Sequence, residues 1–222
     1  MSGVENMSID WNFPSNNFGT VSGIGEAGIE TFKGSPYRSL AREICQNSLD
    51  ARLDPGKPVK VDFSLSYISS GDIKQFDSLR DAFKSCRSFW REQGNKKTVD
   101  FFTRALKRSE SDKIPMLRIS DFNTTGLTGS DKEYNSPWQN LVKASGVSSK
   151  GGSSGGSFGI GKSAPFACSD FRTVFYSTLD NKGLKAFQGV ARLVSFRQKN
   201  IFGLDSDSMT TGMGFYGETV WK

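Results

Sequence analysis

Residues 145–164 read SGVSSKGGSSGGSFGIGKSA, and a stretch so dense in glycine and serine has too few side chains to hold a packed conformation without a ligand. It divides a chain that is otherwise strongly patterned. Upstream, YRSLAREICQNSLDARL places Leu40, Ile44, Leu49 and Leu53 near helical spacing, with Pro36 as a start signal and Pro55-Gly56 as a stop. That spacing predicts a helix of about four or five turns. VKVDFSLSYI at 59–68 alternates apolar and polar residues through Val59, Val61, Phe63, Leu65 and Tyr67, which predicts a half-buried strand. Two helical stretches follow within 75–109, separated by GNKK, and PMLRISDF at 115–122 predicts a short buried strand. A brief helix at WQNLVKA leads into the Gly/Ser segment. Beyond it, FRTVFYSTL and LKAFQGVARLVSF predict two strands joined by a DNKG turn. Helices and strands in this mixture, without regular βα alternation, predict an α+β fold.

Residue types narrow the chemistry. The 222 residues include no histidine, which removes the commonest general base, the usual partner of a Ser or Cys nucleophile and the usual transition-metal ligand. Cys45, Cys86 and Cys168 are odd in number, widely spaced and without a CxxC pair, which argues against a disulfide framework or a zinc cluster and suits a reducing compartment. Any reaction is therefore left to carboxylates, amides, lysines and backbone groups. The net charge of +6 favours an anionic partner, and nucleotide, nucleic acid and acidic protein satisfy it equally. No run of eighteen apolar residues occurs, and MSGVENMSIDWNF lacks the basic start and apolar stretch of a signal peptide. The expectation is a cytoplasmic protein with no membrane partner.

Three separated segments carry candidate chemistry. In REICQNSLDA, Glu43 and Asn47 stand four residues apart and share a helical face, so a carboxylate that can deprotonate water adjoins an amide oxygen that can bind a hard cation such as Mg2+. In RISDFNTTG, Asp121 ends an apolar strand, where its carboxylate can accept a hydrogen bond from the exocyclic amine of adenine. In GGSFGIGKS, Gly156, Gly159 and Gly161 allow backbone N–H groups to approach phosphate oxygens, and Lys162 adds a point charge. Taken singly, each has an ordinary structural explanation: a solvated helical face, an Asx turn at a strand end, a flexible linker. Gly156 to Ser163 also satisfies GxxxxGKS, but the preceding SSKGGSSG is not the hydrophobic strand a Walker A loop must follow.

The order and separation of REICQNSLDA, RISDF...TG and GGSFGIGKSAPFACSDFRTVFYST resemble the N-box, G1 box and G2 box of the GHKL ATPases, the superfamily of gyrase B, MutL, MORC proteins and the ninety-kilodalton heat-shock chaperones. The resemblance spans roughly residues 37–180. It implies a two-layer α/β sandwich of the Bergerat type, with a mixed, mainly antiparallel sheet covered on one face by helices and a long Gly/Ser-rich ATP lid. It implies Mg2+-dependent hydrolysis of ATP to ADP, with Glu43 as the base, Asn47 as the metal ligand and Asp121 on adenine. Asp50, Asn123, Gly126, Gly156, Ser157, Phe158, Gly159, Ile160 and Gly161 would complete the nucleotide site, and Lys162 is expected there from its charge rather than from the resemblance. The G1 pattern departs from the family's: Asn123 and Thr125 stand where glycines are usual, and Gly126 is the first glycine after Asp121.

On this resemblance the chain is expected to divide into an N-terminal strap, 1–36; an ATPase domain, 37–200, with a helical insertion at 75–109 and a lid at 123–161; and a C-terminal extension, 201–222, leading toward a further domain. Lid closure in the family is coupled to dimerisation, so a homodimer on ATP binding is expected. The alternative expectation is a nucleotide-gated interaction or nucleic-acid-binding module with little hydrolysis. It would use the insertion's Lys84, Arg87, Arg91, Lys96, Lys97, Arg104, Lys107 and Arg108 to meet DNA or a partner protein, although Phe89, Trp90, Phe101 and Phe102 are spaced there as core. Trp138 and Lys143 in the lid are candidates for a partner surface. Histidine-kinase activity is disfavoured because no phospho-accepting histidine exists. DNA topology, repair, chaperoning, chromatin compaction and antiviral defence all use such domains, and nothing in these residues selects one.

Overall fold

The computed structural model describes residues 9–16, 19–144, 160–198 and 208–218. The chain is α+β, with strands that pair in mainly antiparallel fashion, and among the described residues no helix is long and apolar enough to cross a membrane. The described residues fall into two compact units, one drawn from Met1–Ile24, Ile68–Ile114 and Gly189–Lys222, the other from Gly25–Tyr67 and Pro115–Gln188.

In the first unit, β1 (Ile9–Asn12) pairs antiparallel with β8 (Met213–Glu218), setting Trp11 opposite Tyr216. The expected strap and the expected C-terminal extension thus share one sheet. β8 also pairs with the second half of β5 (Lys185–Arg192), with Val190 opposite Phe215, and the short strands β6 (Arg197–Gln198) and β7 (Ser208–Met209) form a separate ladder. Helices α3 (Phe76–Glu92) and α4 (Lys96–Ser109) pack on each other. Their apolar positions recur every three or four residues, so Leu79, Phe83 and Cys86 on α3 and Phe102, Ala105 and Leu106 on α4 are all buried. Phe83 and Phe102 meet with centroids 6.0 Å apart. Trp90 Nε1 donates to the Ser195 carbonyl at 2.8 Å, and Asn95 caps α4 by accepting from the Thr98 N–H at 3.1 Å. The segment expected as an insertion therefore supplies the core of this unit. Its Lys84, Arg91, Lys96, Lys97, Arg104, Lys107 and Arg108 lie exposed.

In the second unit, α2 (Pro36–Asp50) follows α1 (Ala27–Glu30) and begins with Pro36 in its first turn, where the fixed φ of proline suits a helix start. Leu40 lies in a buried cluster with Phe32 and Ala164, and Ile44, Ile119, Ala167 and Cys168 pack against it. The cluster joins α2 to β3 (Lys113–Phe122) and to α6 (Ala164–Cys168). Between β3 and α6 lies the short helix α5 (Pro137–Val142). β4 (Thr173–Leu179) turns into β5 through Asp180, whose Oδ1 accepts from the N–H groups of Lys182 and Leu184 at 2.8 and 2.9 Å, and Phe175 stacks on Phe187 across the hairpin.

β2 (Lys60–Ser69) forms a two-stranded sheet with β3. The alternation predicted a half-buried strand, yet Phe63, Leu65 and Tyr67 are 45%, 64% and 65% exposed. Of the apolar run expected to be buried in β3, Leu117 and Phe122 are exposed as well. A two-stranded sheet has too little neighbouring structure to cover both faces, so period alone overstated the burial.

The thiols differ in their surroundings. Cys86 is fully buried in the first unit beside the Val194 carbonyl, and burial pushes its pKa well up. Cys168 is raised by partial burial, while Cys45 lies exposed on α2. A thiol-alkylating reagent at mildly alkaline pH should label Cys45 first, Cys168 slowly and Cys86 only after denaturation, as read by peptide mass spectrometry. Early labelling of Cys86 in native protein would contradict this packing.

Candidate functional site

The candidate nucleotide-site residues that fall among the described ones belong to the second unit, and α2 carries Glu43, Asn47 and Asp50. Its positions 40, 44 and 48 form the stripe toward the cluster of Phe32, Leu40 and Ala164. Glu43 and Asn47 flank that stripe, with Asn47 exposed and the Glu43 side chain only 16% exposed. Arg42 Nη2 meets Glu43 Oε1 at 3.1 Å from the solvent side. On the other side the carboxylate lies against the Gly161 backbone, so closely that a Cβ built on Gly161 would overlap it. Gly161 opens a 3-10 turn, Gly161–Ser163, that packs against α1 and α2 and continues into α6. The glycine is what allows the backbone to approach the acid.

Ser48, buried at the end of the same stripe, donates its hydroxyl to Asp121 Oδ2 at 3.0 Å. The carboxylates of Glu43 and Asp121 are thereby both tied to one helix, at positions separated by about 7.5 Å along its axis. The motif's spacing alone turns Ser48 inward, since a hydroxyl four residues after Ile44 continues the stripe of Leu40 and Ile44, faces the core and must find an acceptor.

After β3 the loop takes a left-handed step at Asn123, φ 58°, and again at Gly126, φ 66°. Asn123 occupies the first position where the resembled pattern has glycine, and asparagine is one of the few other residues that adopt this conformation readily. Its side chain is used structurally: Oδ1 accepts from the Asp54 N–H at 3.1 Å, and Nδ2 donates to the carbonyls of Asp54 and Lys57 at 3.1 and 3.0 Å. Gly126 sits against the end of β4, where a Cβ would come within 2.8 Å of the Leu179 carbonyl and 2.9 Å of Thr178 Oγ1. Thr178 Oγ1 also accepts from the Leu127 N–H at 2.9 Å. The loop following Asp121 is thus fixed at both ends, on the 54–58 turn and on β4.

Lys162, expected to face phosphate, has its ammonium engaged by protein carbonyls. It is buried, and Nζ donates to the carbonyls of Asn140 at 3.1 Å and Ala144 at 2.7 Å, at the C-terminal end of α5. A cation is favoured there because the last carbonyls of a helix lack intrahelical partners. Trp138 is also buried, so it packs within the unit and presents no surface to a partner, while Lys143 remains exposed. Asp50 is held by Gln46 Nε2 at 2.9 Å, and Ile160 lies at the edge of exposure just before the 3-10 turn. Gly156, Ser157, Phe158 and Gly159, with the rest of 145–159, lie outside the described residues.

No protein-family model, curated protein or solved structure matches the chain. What the arrangement can do is therefore read from its groups. A largely enclosed carboxylate touches glycine backbone at the end of the Gly/Ser segment. One helical turn on, an exposed amide offers an oxygen, and beyond that a second carboxylate is oriented by a serine.

Proposed function

We propose that the second unit binds ATP with Mg2+ and hydrolyses the terminal phosphate, as a GHKL-type ATPase. The reading is supported chiefly by one observation: Glu43, Gly161 and Asp121, from three segments distant in sequence, are joined through α2 within one compact unit. Asp121 uses Oδ2 for Ser48, which leaves Oδ1 as the acceptor for the exocyclic amine of adenine and so selects ATP over GTP. Glu43 orients the attacking water and takes its proton as the bond to the terminal phosphoryl group breaks. Such a reaction needs positioning and charge neutralisation more than covalent chemistry.

The donors suit magnesium. Asn47 is exposed one turn from Glu43 and offers an amide oxygen, and Mg2+ commonly takes few protein ligands, with waters and phosphates completing the shell. Asn47 Oδ1 would hold it, and the ion would neutralise charge on the phosphate oxygens. The phosphate-facing side is assigned to the glycine backbone rather than to Lys162, whose ammonium serves α5.

Asp121→Asn tests the reading at the adenine end. Replacing an acceptor oxygen by an amide nitrogen should weaken binding of a non-hydrolysable ATP analogue by roughly 10–100-fold, the worth of a hydrogen bond to a charged group. Calorimetric titration of wild type and variant, with GTP as the control nucleotide, measures it. Equal affinities for ATP in both proteins would remove Asp121 from the site, and no ATP binding by wild type would remove the function.

A further inference from the structure

β2 presents two features that a folded chain rarely leaves together. One of its edges is taken by β3, and the other has no partner strand among the described residues, so the backbone N–H and C=O groups along it have no ladder partner there. Beside that edge, Phe63, Leu65 and Tyr67 rise from one face of the strand at alternate positions, each about half exposed or more. Edge strands are usually protected by charge, proline or a bulge, because an open edge with an apolar face recruits another strand. Here the only charges lie at the start, where Lys60 and Asp62 pair with each other at 2.8 Å, and FSLSYIS from 63 to 69 contains no charge, glycine or proline.

We infer that β2 is the interface of a homodimer, in which two copies of the chain pair antiparallel along this edge about a two-fold axis near Leu65. The sequence of the strand is complementary to itself in that register. Leu65 of one copy faces Leu65 of the other, Phe63 faces Tyr67, and Ser64 faces Ser66, so apolar residues meet on one side, hydroxyls on the other, and no like charges oppose. Ladder hydrogen bonds satisfy the open edge, and the three large side chains of each copy leave water together. The pairing needs no nucleotide, which separates it from any dimerisation driven by lid closure.

Sedimentation velocity of the full chain without nucleotide, over a concentration series, tests the interface in wild type, Leu65→Lys and Phe187→Lys. Wild type should sediment as a dimer. Leu65→Lys sets two ammonium groups against each other on the axis and should raise the dimer dissociation constant by roughly tenfold or more. Phe187→Lys, which adds the same charge at an exposed aromatic of the β4–β5 hairpin, should remain dimeric. Because Leu65 is exposed, its replacement leaves the core intact, and far-ultraviolet circular dichroism verifies this. As an independent readout, Leu65→Cys in a Cys45→Ser background should form an intermolecular disulfide on mild oxidation. A wild type that stays monomeric throughout, a Leu65→Lys protein that dimerises as well as wild type, or no Leu65→Cys cross-link would each overturn the assignment.

Discussion

Glu43→Gln should lower steady-state phosphate release by about 10²–10⁴-fold, the usual contribution of a positioned general base, while leaving the affinity for a non-hydrolysable ATP analogue close to that of wild type. The substitution keeps the size and shape of the side chain, so its packing against the Gly161 backbone survives, and it removes the group able to take a proton. It also removes the charge paired with Arg42 at 3.1 Å, but Arg42 is 78% exposed and an open ion pair contributes little to stability. Thermal unfolding should therefore be nearly unchanged. The combination is diagnostic, since loss of turnover with binding and stability kept is the signature of a group acting in the transition state. A variant that releases phosphate at the wild-type rate would rule Glu43 out as the base, whatever its affinity for nucleotide.

How much of this arrangement could be read from the sequence varied with the kind of signal. Local periodicity located the elements well: α2 starts at Pro36, β2 and β3 run close to the alternating and apolar stretches, and the DNKG turn joins β4 to β5. Burial was less legible, because it depends on how many layers cover a strand. Phe63, Leu65 and Tyr67 carry the pattern of a core face without being one. Connections between the ends of the chain were not legible at all, as nothing local to Ile9–Asn12 announces a partner at Met213–Glu218. At the candidate site, the acid at position 43 and the aspartate at 121 were visible from spacing and strand context. The groups that position them were legible only in part. Ser48 becomes the partner of Asp121 only once the helix is seen to present its third stripe residue inward, and Lys162 is drawn to α5 carbonyls that no spacing rule connects to it. Asn123 shows the converse. A departure from a glycine-rich pattern is accommodated because asparagine adopts the same left-handed backbone and then uses its amide to hold the 54–58 turn.

Gly161→Ala should abolish most of the turnover while leaving the protein folded, an outcome that follows from what the added methyl meets. Its nearest neighbours are all atoms of the Glu43 side chain, beginning with the carboxylate. The far end of a long, flexible side chain can swing aside at small cost, so the backbone of the 3-10 turn has no need to move and stability should stay within about 1 kcal/mol of wild type. The displaced carboxylate no longer points where water must be held, and a misplacement of about 1 Å costs on the order of 10²-fold in rate. Phosphate release and a thermal melt, measured on the same preparation, separate the two effects. The decisive comparison is a double-mutant cycle with Glu43→Gln. If the alanine acts by moving Glu43, it has nothing left to disturb once the base is gone, and the double variant should be no slower than Glu43→Gln alone. Additive losses would mean instead that Gly161 acts through its own backbone contact with the nucleotide, independently of the acid packed against it.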